Sequence, residues 1–272
     1  LAEPFRGETL LYYLFLFWYG CGIILLTFNL LPPALEWANA VFLMLAGTLG
    51  ALYLIVTYGK LTGGLVTLGI IIISILAEGL GVHYGLLFGS YDYNADFGLK
   101  LFGVPLAIGF AWVMVISTTH VIAGCITDGF QRKGKLIHGL VYSVTGAILA
   151  VVMDLILDPV AFVVKEYWIW EGESIYYNIP LQNFFGWFML AFIFHLAIHF
   201  LLARFSRSPA DFSSVRSQRM VLLYVLVTVM FTILGLTAGL WLASLLIVCF
   251  VTPAIILYRQ SSKRRKRYVD HL

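Results

Sequence analysis

The sequence predicts an all-α integral membrane protein of about eight transmembrane helices, with both termini cytoplasmic. Three observations predict it. Hydrophobic residues make up 61% of the 272 residues and charged residues 11%, against roughly one quarter charged in a soluble domain. The apolar runs are continuous rather than alternating, which excludes a transmembrane β-barrel. Lys and Arg fall almost wholly on one side of the resulting spans.

The spans follow in order. The first covers 10–31, about the 20 residues that a bilayer needs. It reads as a span and not a cleaved leader, being too long and lacking a small-residue cleavage site. Further apolar windows cover 37–58, 64–87, 101–124, 137–158 and 184–204. The last two, 219–236 and 239–258, carry no acid and are joined by "GLTAG". Small residues there suit a tight, closely packed hairpin.

Charge orients these spans. Arg6, Lys60, Arg132, Lys133, Lys135, Arg204, Arg207, Arg216, Arg219, Arg259 and the tail "KRRKR" share one side, which is 15 of the 17 Lys and Arg; Lys100 and Lys165 lie opposite. By the positive-inside rule that side is cytoplasmic. The expected location is the cytoplasmic (inner) membrane of a prokaryote, multi-pass, with the bilayer as partner. A juxtamembrane basic tail reads as an anchor, and no nucleic acid is implied. The chain 1–272 is expected to form a single transmembrane domain. Hairpin units 64–124 and 137–204 would carry the site and 219–258 would support them. Cys21, Cys125 and Cys249 lie in or at the ends of apolar runs and read as small hydrophobes.

Glu78, in "SILAEGLGVHYG", and the pair Asp154 and Asp158, in "MDLILDP", are acids inside spans. A carboxylate near the bilayer centre costs about 2.5–3.5 kcal/mol on insertion scales, so function is the default explanation. The bland alternatives are an interhelical hydrogen bond, or for Asp158 a cap before Pro159. Asp154 and Asp158 stack one turn apart and cannot both ionise cheaply. A proton donor beside a base suits acid–base chemistry or proton transport.

Two aromatic loops follow these acids, "FGSYDYNADFGLKLFGVPLAIGFAW" and "AFVVKEYWIWEGESIYYNIPLQNFFGW". Both return through a [V/I]-P-L-x5-W element. Glu78 lies 27 residues before Pro105, and Asp154 lies 26 before Pro180. The pattern reads as a degenerate parallel repeat of two central hairpins, with the site at their interface. An interfacial belt accounts for Trp168 and Trp170. It accounts less well for Tyr91, Tyr93, Tyr176, Tyr177, Asn178 and Asn183. Together with Trp112, Trp168, Trp170 and Trp187 these are the candidate substrate-binding residues. Tyr and Asn can hold a water, and aromatic faces stabilise a cation by about 0.5–2 kcal/mol per well-placed ring. An acid, a water and such a lining fit protonation of an alkene followed by capture of water.

His195 and His199 share a face, with His120 and His138 at similar depth. Iron or haem binding is the alternative to interhelical hydrogen bonding, which is the preferred reading; no metal site is assigned. His83, five residues after Glu78, is read as a substrate-side or supporting residue.

The combination "EGLGVHYGLLFGSYDY…FGLKLFGVPLAIGFAW" and "DLILDPVAFVVKEYWIW…YYNIPLQNFFGW" resembles the carotenoid biosynthesis membrane family that includes the carotenoid hydratases. The resemblance covers about residues 74 to 190. The sequence departs from the family pattern at Asn178, where glycine is expected, and at Leu86-Leu87, where a proline is expected before the phenylalanine. The resemblance implies hydration of the terminal double bond of an acyclic carotenoid ψ end, a hydro-lyase reaction without a redox cofactor. Its partners would be the acyclic carotenoid, water and other membrane enzymes of the carotenoid pathway. No nucleotide loop is visible, so no cofactor is assigned.

The expected mechanism places Glu78, Asp154 and Asp158 as the catalytic acids and bases. The alternatives are a proton-coupled or lipid/isoprenoid transporter, and a related isomerising or cyclising carotenoid enzyme. A transporter would need a polar path through the cytoplasmic half, where the spans as read contain no acid.

Overall fold

A computed structural model describes residues 4–94, 98–170, 174–205 and 211–270, apart from the side chains of 33 and 266–270. Arg207 and the loop segments 95–97 and 171–173 lie outside the described residues. Among the described residues, eight helices are long and apolar enough to cross a membrane. They are α1 Arg6–Thr27, α2 Trp37–Tyr58, α3 Lys60–Tyr84, α4 Leu106–Thr127, α5 Lys135–Pro159, α6 Leu181–Phe205, α7 Val215–Thr237 and α8 Trp241–Asp270. The chain is thus a multi-pass helical membrane protein, and the eight-span expectation holds.

Boundaries differ where local chemistry overrides hydropathy. α1 begins four residues before the expected span and stops before Asn29, which adopts φ 53°. Glu8 is therefore inside a helix, buried and paired with Arg216 at 3.0 Å. That corrects the expectation that no acid lies in the basic-end half of any span. α4 starts at Leu106 and not 101 because β2 Lys100–Leu101 pairs with β3 Val104–Pro105. The turn residues Phe102 and Gly103 have φ 52° and 78°, the two positive values that a tight two-residue hairpin turn needs.

α4 is the central helix, and every residue from Trp112 to Cys125 is buried. Around it the two central hairpins repeat more closely than the loops suggest. Gly59-Lys60-Leu61 opens α3 and Gly134-Lys135-Leu136 opens α5, and both helices have 25 residues. The two glycines adopt φ 91° and 103° with ψ 156° and 154°, a conformation closed to residues with a side chain. Gly64-Leu65-Val66 and Gly139-Leu140-Val141 follow at the same spacing. Pro105/Pro180, Phe110/Phe185, Trp112/Trp187, Met114/Met189 and His120/His195 also lie 75 positions apart.

α5 does not stop cleanly at Pro159. The chain continues as a π-helix over Val160–Val164. Proline has no N–H to give the carbonyl four residues back, and the Tyr176 hydroxyl donates to that carbonyl, Leu155 O, at 2.6 Å. The widened turn carries the chain into β4 Trp168–Trp170, which pairs antiparallel with β1 Tyr91–Tyr93. This two-stranded cap joins the loops of both repeats over the end of the bundle opposite the basic residues.

Candidate active site

α3 places Glu78 on the inner wall beneath the cap, 5% exposed. Its carboxyl accepts three hydrogen bonds. Trp112 Nε1 donates to Oε1 at 2.9 Å, the Tyr93 hydroxyl donates to Oε2 at 3.1 Å, and the Tyr91 hydroxyl donates to the same oxygen. Alternate residues of a strand face one way, which is how two tyrosines two positions apart reach one carboxyl. In β4, Trp170 lies opposite Tyr91 and Trp168 opposite Tyr93, with ring centroids 4.6 and 5.8 Å apart. Burial and the neighbouring Glu78 carboxyl push both phenols well above their ordinary value, so they stay hydrogen-bond donors.

α5 carries Asp154 and Asp158, 0% and 2% exposed. Asn183, in the first turn of α6, donates through its amide nitrogen to Asp154 Oδ2 at 2.9 Å and to Asp158 Oδ2. That nitrogen has two hydrogens, one for each carboxyl. Asp154 Oδ1 is buried without a hydrogen-bond partner, and the Trp168 indole lies against Asp158. Among the described residues the ion pairs are Glu8–Arg216 and Asp128–Arg265, so none of these three acids belongs to one.

Glu78, Asp158 and Asn183 open onto a cavity of about 290 Å³. Tyr91, Tyr93, Trp112, Trp168, Trp170 and Trp187 line it, and its far wall comes from α1, α2 and α7. Trp112 and Trp187 stack at 4.4 Å.

The family described as carotenoid biosynthesis protein matches residues 38–253. The chain belongs to that family. Over 129 residues it is 28% identical to bisanhydrobacterioruberin hydratase of Haloarcula japonica, an alignment covering 46% of this chain and 41% of that protein. The match thus spans less than half of the relative's length. No solved structure matches the chain.

The remaining candidate residues of this carotenoid biosynthesis protein lie elsewhere. Asp154 stands behind Asp158 and does not line the cavity. His83 is exposed beyond it. Tyr176 serves the Leu155 carbonyl, and the Tyr177 hydroxyl oxygen accepts from the Ala243 N–H at 3.3 Å. Asn178 is exposed, at φ 61°. The family's expected glycine there has a physical reason: the backbone is left-handed, and asparagine is among the side chains that tolerate it. Three histidines, His120, His195 and His199, bridge helices. His120 bonds Tyr58 and Tyr142 at 2.5 Å each, His195 bonds Thr119 at 3.1 Å, and His199 bonds Lys135 O at 3.1 Å. His138 Nε2 is buried without a partner.

Sequence reasoning missed the α1 and α2 wall, including Trp18 and Trp37, because those residues differ in no way from lipid-facing ones. It also missed Lys165, which lines the cavity. Burial lowers the Lys165 ammonium pKa, and Glu36 partly restores it. A signal existed, since Lys165 is one of two basic residues on the side opposite the rest.

Proposed function

We propose that this family member is a carotenoid hydratase, adding water to the terminal double bond of an acyclic ψ end to give a tertiary alcohol. The central hairpins carry the site, while α1, α2 and α7 wall it. The observation that carries the reading is the pairing of unlike carboxyls in one apolar cavity. Glu78 receives three hydrogen bonds, from Tyr91, Tyr93 and Trp112, and such donors favour the ionised form of a carboxyl. Asp154 and Asp158 share one donor nitrogen, and two anions so close are mutually repulsive; the pair holds a proton. The hydratase name of the Haloarcula japonica relative supports the same reaction class.

Asp158, the aspartate facing the cavity, gives its proton to the CH carbon of the terminal alkene. The π pair becomes the new C–H bond, and positive charge develops on the carbon bearing two methyls. Glu78 and the faces of Trp112, Trp187 and Trp168 stabilise that cation. A carboxyl is a weak acid toward carbon, so this preorganised electrostatic environment must supply most of the barrier lowering. Water adds to the cation, Glu78 takes its extra proton, and that proton passes from Glu78 back to the aspartate pair. One water is consumed, and no oxidant or reductant is needed.

Expression in a host that accumulates an acyclic carotene tests the proposal. Pigment gaining the mass of one water and a tertiary hydroxyl supports it. Unchanged pigment, with the protein inserted, removes it.

Proton-coupled transport is the second reading, favoured by one observation. The basic-end half of the bundle holds the buried chain Tyr58–His120–Tyr142. From His120 towards Trp112, α4 presents the buried Thr119, Thr118 and Ser117 and then an apolar layer of Ile116, Val115, Met114 and Val113. A transporter would need to open this layer, and proton uptake into vesicles distinguishes it from a hydratase.

A further inference from the structure

We propose that the cavity opens sideways into the bilayer along α1, beside Phe17 and Cys21, and that this mouth admits one end of an acyclic polyene while the rest of its chain stays in lipid. The proposal rests on the hydratase reading for its occupant, not for the existence of the mouth.

α1 and α7 both start at the basic end and touch there. Arg216 pairs with Glu8 at 3.0 Å, and the Arg219 guanidinium lies 4.4 Å from the Tyr12 ring centroid. Further along, the cavity lies between them. Cys21 and Leu25 of α1 and Met230, Phe231 and Leu234 of α7 all line it. On its other side α1 is held to α2, through Trp18 Nε1 to Ala38 O at 3.1 Å and the Phe15–Phe42 ring contact at 5.5 Å. The cavity-lining residues that are exposed are Phe17 and Cys21 of α1 with Leu35 and Trp37 at the α1–α2 connection, while Met230 and Leu234 of α7 are buried, so the open rim lies along α1, beyond the Glu8–Arg216 pair.

The depth of the lip decides what it faces. Phe17 lines the cavity yet is 67% exposed, and Cys21, one turn on, is also both lining and exposed. They lie near the middle of the 22 residues of α1, a length that matches the roughly 30 Å hydrocarbon layer. Residues exposed at that depth face acyl chains, not water. A solute reaching the acids this way must come from the bilayer.

The space limits how much of it enters. About 290 Å³ is at or below the small end of ligand pockets, which run from roughly 300 to 1,000 Å³. A chain terminus fits beside Glu78 and Asp158, and the length of a long polyene does not. Selection is then by the structure of the end, and chain length is read weakly.

Gly22 offers the test. It lines the cavity, and a Cβ built there meets nothing within 4 Å, as at Gly20, which does not line it. Neither Gly22→Phe nor Gly20→Phe is expected to harm folding, because both replace a helix-interior glycine with a better helix former. Purified wild type and both variants in nanodiscs are given acyclic polyenes of three lengths sharing one end structure. Retained pigment is counted by its visible absorbance, with hydration measured in parallel. The expected result is similar retention of all three lengths by wild type and by Gly20→Phe, and loss of retention and turnover in Gly22→Phe. Undiminished retention or turnover in Gly22→Phe, or retention of a single length, overturns the mouth as proposed. Pigment retained through Gly22 but never hydrated upholds the mouth and removes the hydratase reading instead.

Discussion

Trp112 and Trp187 stack on each other with ring centroids 4.4 Å apart and planes inclined by 27°, and they occupy the same position in the two repeated hairpins. Each follows its Pro-Leu element by the same spacing. The cap repeats the relationship, because Tyr91–Tyr93 of the first copy pairs with Trp168–Trp170 of the second. Contacts between equivalent positions are what an axis between two parallel copies produces. Trp112 also donates to Glu78, which ties this stacked pair to the acids.

Removing either cavity-facing carboxyl should stop the chemistry without unfolding the protein. Asp158→Asn and Glu78→Gln are each expected to lower the hydration rate by about 10²–10⁴-fold, the usual range for a general acid or base. Asp154→Asn should also lose product, since it removes the partner with which Asp158 shares a proton. Product formation per inserted protein, beside a thermal unfolding curve, checks this.

Asn183→Leu takes away the one nitrogen that serves both aspartates. Leaving two buried carboxyls without it should cost about 1.5–3 kcal/mol, as for hydrogen bonds to charged groups. A lower unfolding midpoint together with lost turnover is the expected result.

Tyr91 and Tyr93 should resist ionisation. Their phenol values are raised by burial and by Glu78, above the ordinary value of about 10. A raised phenol value means stability that is fully present below the unfolded value and lost as pH climbs through the folded one. In an alkaline absorbance titration the folded wild type and Tyr91→Phe/Tyr93→Phe should show the same phenolate rise near pH 10. The wild type should show an additional rise only at higher pH, where the fold is lost.

Gly186→Ala should displace the site from behind. A Cβ at Gly186 would sit 2.4 Å from Leu87 O, a backbone atom that cannot swing aside, and 2.8 Å from Phe88 Cδ1. Moving α6 off this loop carries Trp187 and Asn183 with it. Overpacking of this kind costs about 1–3 kcal/mol, to be read as a lower melting temperature with reduced turnover.

The helical class and the number of spans were legible because hydropathy and charge placement report them directly. Glu78 and Asp158 stood out as acids where acids are expensive, and they do share a cavity. The loop aromatics were legible only as a group. Alternation in a strand separates Tyr91 and Tyr93, which reach Glu78, from Asp92, and no helical or hydropathic pattern foretold a β1–β4 pair between segments so far apart. Tyr176 looked like a site residue because it follows the acids, yet it answers the backbone defect left by Pro159. The α1 wall was illegible for a physical reason. A residue lining an apolar cavity and one facing lipid require the same side chains.

Turnover of an acyclic polyene by the purified protein in deuterium oxide enriched with heavy-oxygen water tests the central claim most directly. The account predicts one deuterium on the carbon next to the new alcohol carbon and heavy oxygen in the hydroxyl, both lost in Asp158→Asn. A hydroxyl whose oxygen does not come from water, a product without carbon-bound deuterium, or recovery of the polyene unchanged would contradict it.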